Sequence, residues 1–235
     1  MKLILKAVFF ILFLHLLVNK SIGQQQILSI RQGLMISYMS DPKFLDTNES
    51  KYSYTAGISY EYGISKYFFI GIEANYENRG YVRYSLSYDT EMQAMAHVAP
   101  ATSFDFRYFS FPVKITGKIN LGKKYYGFLS GGIMPAYLVL IKEIPDAAIS
   151  SLYSSLPQTS NNSGFVDITD KAQRFDFGMF GDIGLGYKLN ERFFVDFTFR
   201  KQQSLTSMDK NGFFPEGTHY NTAGVLTARI GAFLK

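Results

Sequence analysis

The sequence predicts an all-β fold, an eight-stranded antiparallel up-and-down β-barrel that crosses a membrane with its strands. Three observations predict it. Apolar and polar side chains alternate over eight segments, which gives strands with two unlike faces. The breaks between these segments alternate between short and long. The polar face carries charges diluted by glycine, which is typical of a crowded polar interior surrounded by lipid.

The clearest segment is the hairpin over residues 174–203. The apolar face of its first arm consists of Phe175, Phe177, Met179, Ile183, Leu185, Tyr187 and Leu189. After a polar break at Asn190 and Glu191, the apolar face of the second arm consists of Phe193, Val195, Phe197 and Phe199. Strands of soluble domains average about five to six residues, whereas about nine to eleven residues cross a bilayer. The length of these arms therefore predicts a transmembrane hairpin.

Six further segments show the same alternation less regularly. They are residues 27–41, 52–64, 68–79, 104–120, 125–141 and 222–234. Pro112 removes a backbone donor from the fourth strand, so we expect a local bulge there. The long breaks over 42–51, 80–103, 142–173 and 205–221 are predicted as loops. Helical spacing within two of them predicts a helical turn in 92–98 and a short helix around 149–156.

The lengths of the breaks predict the topology. Those after the second, fourth and sixth strands are tight, and those after the odd-numbered strands are long. Barrels of bacterial outer membranes have short periplasmic turns and long extracellular loops. With an even number of strands, both termini are then predicted in the periplasm. Eight strands enclose an interior that side chains nearly fill.

The first 23 residues predict a signal peptide rather than part of the fold. Lys2 and Lys6 precede an apolar run over 7–18 that is too short for a membrane helix, and cleavage is expected after Gly23. The outer-membrane barrel domain is predicted over residues 24–235. Removing three lysines leaves a charge of 24 − 3 − 19 = +2, which does not predict nucleic-acid binding. Without cysteine, sheet closure is the expected source of stability.

Twelve charged side chains fall on the polar face of the predicted strands. The acidic ones are Glu61, Glu73, Glu77, Asp176, Asp182 and Asp196. The basic ones are Arg79, Lys114, Lys118, Lys188, Arg200 and Arg229. Because an isolated buried charge is costly, equal numbers of both signs predict a network of ion pairs in the lumen. The alternative, a gated passage or a proton-linked site, needs an excess of one sign or a continuous water path.

The sequence offers little that would support catalysis or hold a cofactor. The histidines after the signal peptide are His97 and His219, both on predicted loops. Ser103 with His97 and Asp105, or Ser207 with His219, would supply a nucleophile and a base, but neither set lies in a recognisable motif. No cysteine, histidine cluster, glycine-rich phosphate loop or calcium-loop spacing is present. We predict a protein that is not an enzyme and that carries no metal or cofactor.

Six apolar side chains fall on two of the predicted long loops. They are Met92, Met95, Ile149, Leu152, Tyr153 and Leu156. Exposed apolar clusters often mark contact surfaces. These residues therefore either rest on the barrel rim or form a surface that binds a partner.

Three stretches resemble the PorT-like family of outer-membrane β-barrel domains, which are common in bacteria that use type IX secretion. They are residues 108–114 (YFSFPVK), the glycine-rich residues 176–187 and residues 231–233 near the C-terminus. The resemblance implies a bacterial outer-membrane location and an aromatic C-terminal signal for the barrel assembly machinery, although Leu234 and Lys235 follow the aromatic residue here. It also implies an accessory role in secretion.

Alternation alone does not say which face of a strand lies inside. A secreted ligand carrier of lipocalin shape would turn its apolar face inward. The absence of tryptophan and the aromatic residues at the predicted strand ends favour the membrane barrel. Three functions then stay open. The first is a non-enzymatic interaction or scaffold barrel that acts through its extracellular loops, through a partner on its periplasmic side, or as an accessory of an envelope secretion system. The second is a narrow channel for ions or small solutes, and the third is a lipid-modifying enzyme of the outer leaflet.

Overall fold

The computed structural model describes residues 25–40, 48–89, 94–145, 165–208 and 220–234. The strands in these ranges are β1 Gln26–Ser40, β2 Asn48–Gly63, β3 Phe68–Asp89, β4 Ala94–Ser110, β5 Val113–Asn120, β6 Tyr125–Pro145, β7 Val166–Asp167, β8 Phe175–Lys188, β9 Phe193–Ser204 and β10 Tyr220–Leu234. A turn of 3₁₀ helix, Thr169–Lys171, follows β7. The predicted signal peptide lies outside the described residues.

The strands form one closed antiparallel sheet. From β1 the ring runs through β10, β9, β8 and β6 in one direction and through β2 and β3 in the other. β4 and β5 share one place in the ring, because both pair with β3 on one side and with β6 on the other. The ring therefore has eight positions, and the predicted eight-stranded up-and-down barrel is confirmed.

Tight turns connect the strands at one end of the barrel, which we call the turn end. They are residues 64–67, 121–124 and 189–192. In the last of these, Asn190 accepts hydrogen bonds from the backbone N–H groups of Arg192 and Phe193, both at 2.8 Å, as asparagine does in many turns. Gln26 and Leu234 pair with each other at this end. We call the opposite end the loop end.

The predicted irregularity at Pro112 is present as a break between β4 and β5. Pro112 has no backbone N–H to donate to the ladder. The wall stays continuous across the break, because Phe111 donates its N–H to the Pro135 carbonyl (2.8 Å) and the Pro112 carbonyl accepts from Glu73 (2.9 Å). Two strands, β4 and β5, thus occupy one place in the ring.

The outer surface carries an apolar belt. On β8, the exposed large side chains are Phe175, Met179, Ile183 and Leu185. The twelve steps from Phe175 to Tyr187 measure about 40 Å along the strand, or about 30 Å along the barrel axis at a tilt of about 40°. This height matches the hydrocarbon core of a bilayer, which is about 30 Å thick. With the apolar faces outside, the lipocalin alternative is wrong.

Aromatic rows border the belt at both ends. At the turn end, the rings of Tyr125 and Tyr187 lie 5.1 Å apart. At the loop end, Tyr76 lies 6.1 Å from Tyr54 and 5.7 Å from Phe109. Amphipathic rings at both borders are typical of the interfaces between hydrocarbon and water. The belt therefore has two defined edges.

The prediction of a long loop over 80–103 is wrong. β3 continues to Asp89 and β4 begins at Ala94, so residues 94–98 of the predicted helical turn lie in a strand. The side-chain pattern inverts on the described residues that border this range: the buried inward positions are Tyr81, Phe104, Phe106 and Tyr108. Beyond the belt, water rather than lipid surrounds the barrel, so apolar side chains turn inward and polar side chains turn outward. A search for one constant parity misses strands that cross this boundary.

The loop predicted over 142–173 is also shorter than expected. β6 extends to Pro145, and β7 and the 3₁₀ turn occupy part of the remainder. The short helix predicted around 149–156 lies outside the described residues. No helix within the described ranges has the length and hydropathy that a transmembrane helix needs.

Candidate functional site

The inward side chains form three layers along the barrel, and the charged layer in the middle is the candidate site. An aromatic layer lies at the turn end, and a larger apolar layer lies at the loop end. Ion pairs between inward residues fill the space between them. The layers follow from the pleat, because successive inward residues on a strand are two positions apart.

At the turn-end side of the charged layer, Glu61 is surrounded by cations. Arg229 on β10 donates to Glu61 on β2 and to both carboxylate oxygens of Asp196 on β9, at 2.7–3.0 Å for Asp196. Lys114 and Lys118 on β5 pair with Glu61 at 3.0 and 2.5 Å. These contacts connect four walls of the barrel through one carboxylate and one guanidinium.

Glu73 on β3 is the centre of the charged layer. Arg200 on β9 donates two parallel hydrogen bonds to it, at 2.9 and 3.0 Å. Two more cations pair with Glu73: Arg31 at 2.5 Å and Lys114 at 2.9 Å. Asp182 holds Arg200 from the other side at 2.6 and 2.8 Å. Paired and hydrogen-bonded in this way, the buried charges avoid the cost of isolation.

Arg79 forms the loop-end side of the charged layer. It pairs with Glu77 at 2.7 Å and with Asp176 at 2.9 Å. Glu77 also accepts hydrogen bonds from Ser110 (2.6 Å) and Gln202 (3.1 Å). Neutral donors therefore satisfy the oxygen lone pairs that the guanidinium leaves free.

The structure places eleven of the twelve predicted lumen charges in this layer, and Lys188 elsewhere. Lys188 is the last residue of β8, so its amine reaches the turn-end mouth and donates to Asn120 (3.0 Å). Arg31, which is 7% exposed, supplies the sixth cation of the charged layer. It shares the inward parity of the first strand with Ser29 and Ser37. That parity is the sequence signal that would have included Arg31.

The turn-end layer packs aromatic rings over glycines of neighbouring strands. Its members are Ile27, Phe69, Tyr126, Phe128 and Phe194, with Phe233 packed against them. Tyr126 lies directly opposite Gly186 in the ladder, and Phe128 lies opposite Gly184. A Cβ atom at either glycine would overlap the opposing ring. The Tyr126 hydroxyl also donates to Asp196 (3.0 Å), which ties this layer to the charges.

The loop-end layer contains the inverted part of the sheet and the segment after β7. Its members are Met39, Tyr81, Phe104, Phe106, Tyr108, Ala136, Leu138, Ile141, Ile168, Ala172 and Met208. Thr169 anchors the segment, because its hydroxyl accepts from the Ile141 N–H (2.9 Å) and donates to Asp167. The side-chain and backbone hydrogen bonds from Thr169 hold the pKa of Asp167 below its ordinary value of 3.8.

The three layers are in direct contact. Lys118 lies 4.3 Å from the ring centre of Phe69, and Arg79 lies 4.6 Å from that of Tyr108. A gap inside the charged layer, bordered by Arg31 among others, is too narrow to admit a water molecule. This packing is that of a plug, which differs from the continuous water path that a conducting pore needs.

Of the two candidate catalytic sets, the one of Ser103, His97 and Asp105 does not come together, and the one of Ser207 and His219 stays untested. Ser103 and Asp105 both accept from the Lys51 amine, Ser103 at 2.7 Å. His97 lies six residues from Ser103 along β4, which is about 20 Å in a strand. That separation is too long for a nucleophile and its base. His219 lies outside the described residues.

The described residues bear only in part on two further expectations, the absence of a metal site and the apolar contact surface on the loops. Within those ranges, no group of His, Asp and Glu side chains could hold a metal ion. Met95 lies in β4, but its side chain falls outside the description, as do Met92, Ile149, Leu152, Tyr153 and Leu156. The predicted contact surface on the loops therefore stays a prediction.

A closed ring of amphipathic strands with an apolar outside and a charged inside defines a β-barrel that spans a membrane. The chain belongs to the outer membrane protein beta-barrel domain family, which matches residues 24–210. The membership agrees with the bacterial outer-membrane location that the sequence predicts. A comparison with curated proteins returned no match.

Several solved structures are similar to this chain in outline. Neisserial surface protein A is 12% identical, with 88% of this chain and 97% of that chain covered and a TM-score of 0.49. OprG from Pseudomonas aeruginosa is 10% identical, with coverages of 88% and 95% and a TM-score of 0.44. Ail, the attachment invasion locus protein of Yersinia pestis, is 10% identical, with coverages of 87% and 97% and a TM-score of 0.40.

Proposed function

We propose that this protein is a non-enzymatic interaction barrel of the outer membrane, and that it binds a protein partner through the hairpin of β3 and β4. The observation that carries the proposal is the length of this hairpin. Tyr76 marks the outer border of the apolar belt, and β3 continues for thirteen residues to Asp89. At about 3.3 Å per residue, that is about 43 Å of strand beyond the belt.

The outer part of the hairpin has strand edges that no other described strand covers. β2 pairs with β3 as far as Arg83, and β6 pairs with β4 as far as Thr102. Beyond these residues, 84–89 and 94–101 pair with each other. Unpaired edges accept an added strand from a partner, with backbone hydrogen bonds supplying affinity.

The filled interior supports an interaction role over a channel. The charged layer has paired carboxylates on every side, and apolar layers pack against it at both ends. Because the packed interior stabilises the barrel, the barrel can serve as a scaffold that holds the hairpin. Steady single-channel currents in planar bilayers would overturn this part of the proposal.

The proposal extends to the partners of the barrel. Outer-membrane lipid would surround the apolar belt, and the barrel assembly machinery would insert the chain with both termini in the periplasm and the hairpin outside the cell. The resemblance to PorT-like barrels supports a role as an accessory of an envelope secretion system. A second binding surface would then lie on the periplasmic side.

The test removes the hairpin and keeps the barrel. In the trimmed variant, a two-residue Asn-Gly turn replaces residues 84–101, because Arg83 and Thr102 pair directly and this turn suits a hairpin. We expect photo-crosslinking from Val82 in intact cells to yield a defined adduct with the full hairpin and none with the trimmed one. The matched control is an Asn-Gly replacement of Gly122 and Lys123 in a turn-end loop, which should leave the adduct unchanged.

Two readouts separate the proposal from its alternatives. The trimmed variant should keep the heat-modifiable gel mobility of a folded barrel, so that loss of the adduct is not loss of folding. An adduct that survives trimming would contradict the role of the hairpin. A change in outer-leaflet lipid composition that depends on His97 and His219 would favour the lipid-modifying enzyme instead.

A further inference from the structure

The turn-end mouth contains a pocket that the proposed function does not use. It has a volume of about 70 Å³ and opens toward the solvent at the tight turns. Three lysines line it, Lys66, Lys118 and Lys188, together with the polar residues Gln25 and Asn120. The aromatic layer forms its floor. The volume suffices for several water molecules or for one small tetrahedral oxyanion.

The charge around this pocket is uncompensated. Glu61, which faces Lys118, is already shared with Lys114 and Arg229. Lys188 donates to the neutral amide oxygen of Asn120 and has no carboxylate within ion-pair distance among the described residues. Three amines and one shared carboxylate leave a positive excess at the mouth, in contrast to the balanced charges of the middle layer.

Lys66 adds to the positive excess at the turn-end mouth. Its described contact is with the ring of its neighbour Tyr67, at 5.2 Å, and the ranges that the structure describes contain no acidic partner for it. An exposed lysine is common, but three lysines that line one pocket are a different arrangement. Amines on flexible stems can converge on one oxyanion as point charges.

We propose that this turn-end pocket binds a phosphate group, with Lys66 and Lys188 as the principal contacts and Lys118 and Asn120 as supporting donors. Neutral and cationic donors around one pocket favour an acceptor-only, negatively charged ligand, because ammonium and amide N–H groups cannot coordinate a cation. The phosphate belongs either to a soluble phosphate ester or to an anionic phospholipid of the leaflet next to Tyr67 and Phe68, which are both exposed.

The experiment uses the full chain purified in detergent micelles. Isothermal titration with inorganic phosphate, against potassium chloride of equal ionic strength, measures the soluble ligand. Native mass spectrometry of the protein from nanodiscs of mixed phosphatidylglycerol and phosphatidylcholine measures retained lipid. The test variant is K66Q/K188Q, and the matched control is K123Q/K124Q, which removes two exposed lysines from an adjacent turn outside the pocket.

Binding of phosphate that weakens about tenfold or more in K66Q/K188Q and by less than about twofold in K123Q/K124Q supports a soluble ligand. Retention of phosphatidylglycerol that is lost only in K66Q/K188Q supports the lipid source. Two results overturn the proposal: neither ligand binds the wild-type protein, or both double variants weaken binding equally. Equal weakening would indicate general attraction to a basic surface. Both variants should retain the gel mobility of the folded barrel.

Discussion

Arg200 on β9 and Glu73 on β3 form a bidentate ion pair, with N···O distances of 2.9 and 3.0 Å, between strands that face each other across the ring. Neighbouring strands are held together by their backbone ladders, but opposite walls of a barrel have no ladder between them. This pair therefore fixes the cross-section of the barrel through side chains alone. Both residues are almost completely buried.

Replacing Arg200 by methionine should destabilise the barrel strongly. The change leaves Asp182 without its guanidinium, and uncompensated buried charges cost about 3–5 kcal/mol. Urea unfolding in micelles, followed by tyrosine fluorescence, measures the free energy of unfolding. The control is K201Q, the next residue on the outer face, which should change stability by less than about 1 kcal/mol. Equal unfolding midpoints for the two variants would rule out a structural role for the Arg200 pair.

Gly186→Ala should destabilise the turn end because Tyr126 lies over Gly186. The added methyl group forces the ring to move, and overpacking of this kind costs about 1–3 kcal/mol. Gly181→Ala on the outer face of the same strand, where an added Cβ would make only an ordinary contact with the Ser130 carbonyl (3.9 Å), should cost less than about 0.5 kcal/mol.

A double-mutant cycle checks the cause of that loss. In a Tyr126→Ser background the ring is absent, so Gly186→Ala should then cost less than about 0.5 kcal/mol in urea unfolding. A full-sized cost in both backgrounds would mean that the alanine acts through the backbone and not through the ring.

The hydrogen bonds that Asp167 accepts from Thr169 should weaken only in acid. The pKa of Asp167 is depressed in the folded protein, so its stabilising contribution is present above the ordinary value of 3.8 and is lost as the pH falls through the folded pKa. In NMR spectra of the micellar protein, the Thr169 amide shift should be constant between pH 5 and 7 and should titrate below about pH 3.8.

Asp167→Asn provides the matched control for that titration. The amide oxygen can still accept the Thr169 hydrogen bonds, but it carries no proton to titrate. The Thr169 signal of this variant should stay constant down to the same pH. A titration midpoint above pH 4 in the wild-type protein would contradict the assigned hydrogen bonds.

The orientation of the barrel should place the β3–β4 hairpin outside the cell. An epitope inserted after Asp89 should bind antibody on intact cells, because the hairpin continues beyond the apolar belt. The same epitope inserted after Gly122, in a turn-end loop, should bind only after the outer membrane is permeabilised. The reverse pattern would invert the predicted topology and place both termini outside.

The pattern of alternation by itself determined the fold. A segment of nine or more residues that keeps one parity apolar needs lipid on that side. The number of strands, the turn-end breaks and the break at Pro112 could therefore be predicted from the sequence. The signs of the inward charges also predicted a paired interior. These features depend on neighbours within one strand or one hairpin, which the sequence lists in order.

Only the tertiary structure decided which charges meet and where the strands end. Arg200 and Glu73 are 127 positions apart, and nothing in either strand specifies the other as its partner. The exit of Lys188 to the mouth depends on its height within the ring. At the borders of the predicted loop over 80–103, Tyr81 and Phe104 turn inward because water rather than lipid surrounds the barrel there, so the apolar outer face that predicted the other strands ends. A sequence records the side chains, but the medium that each one faces is set by the folded barrel and the membrane around it.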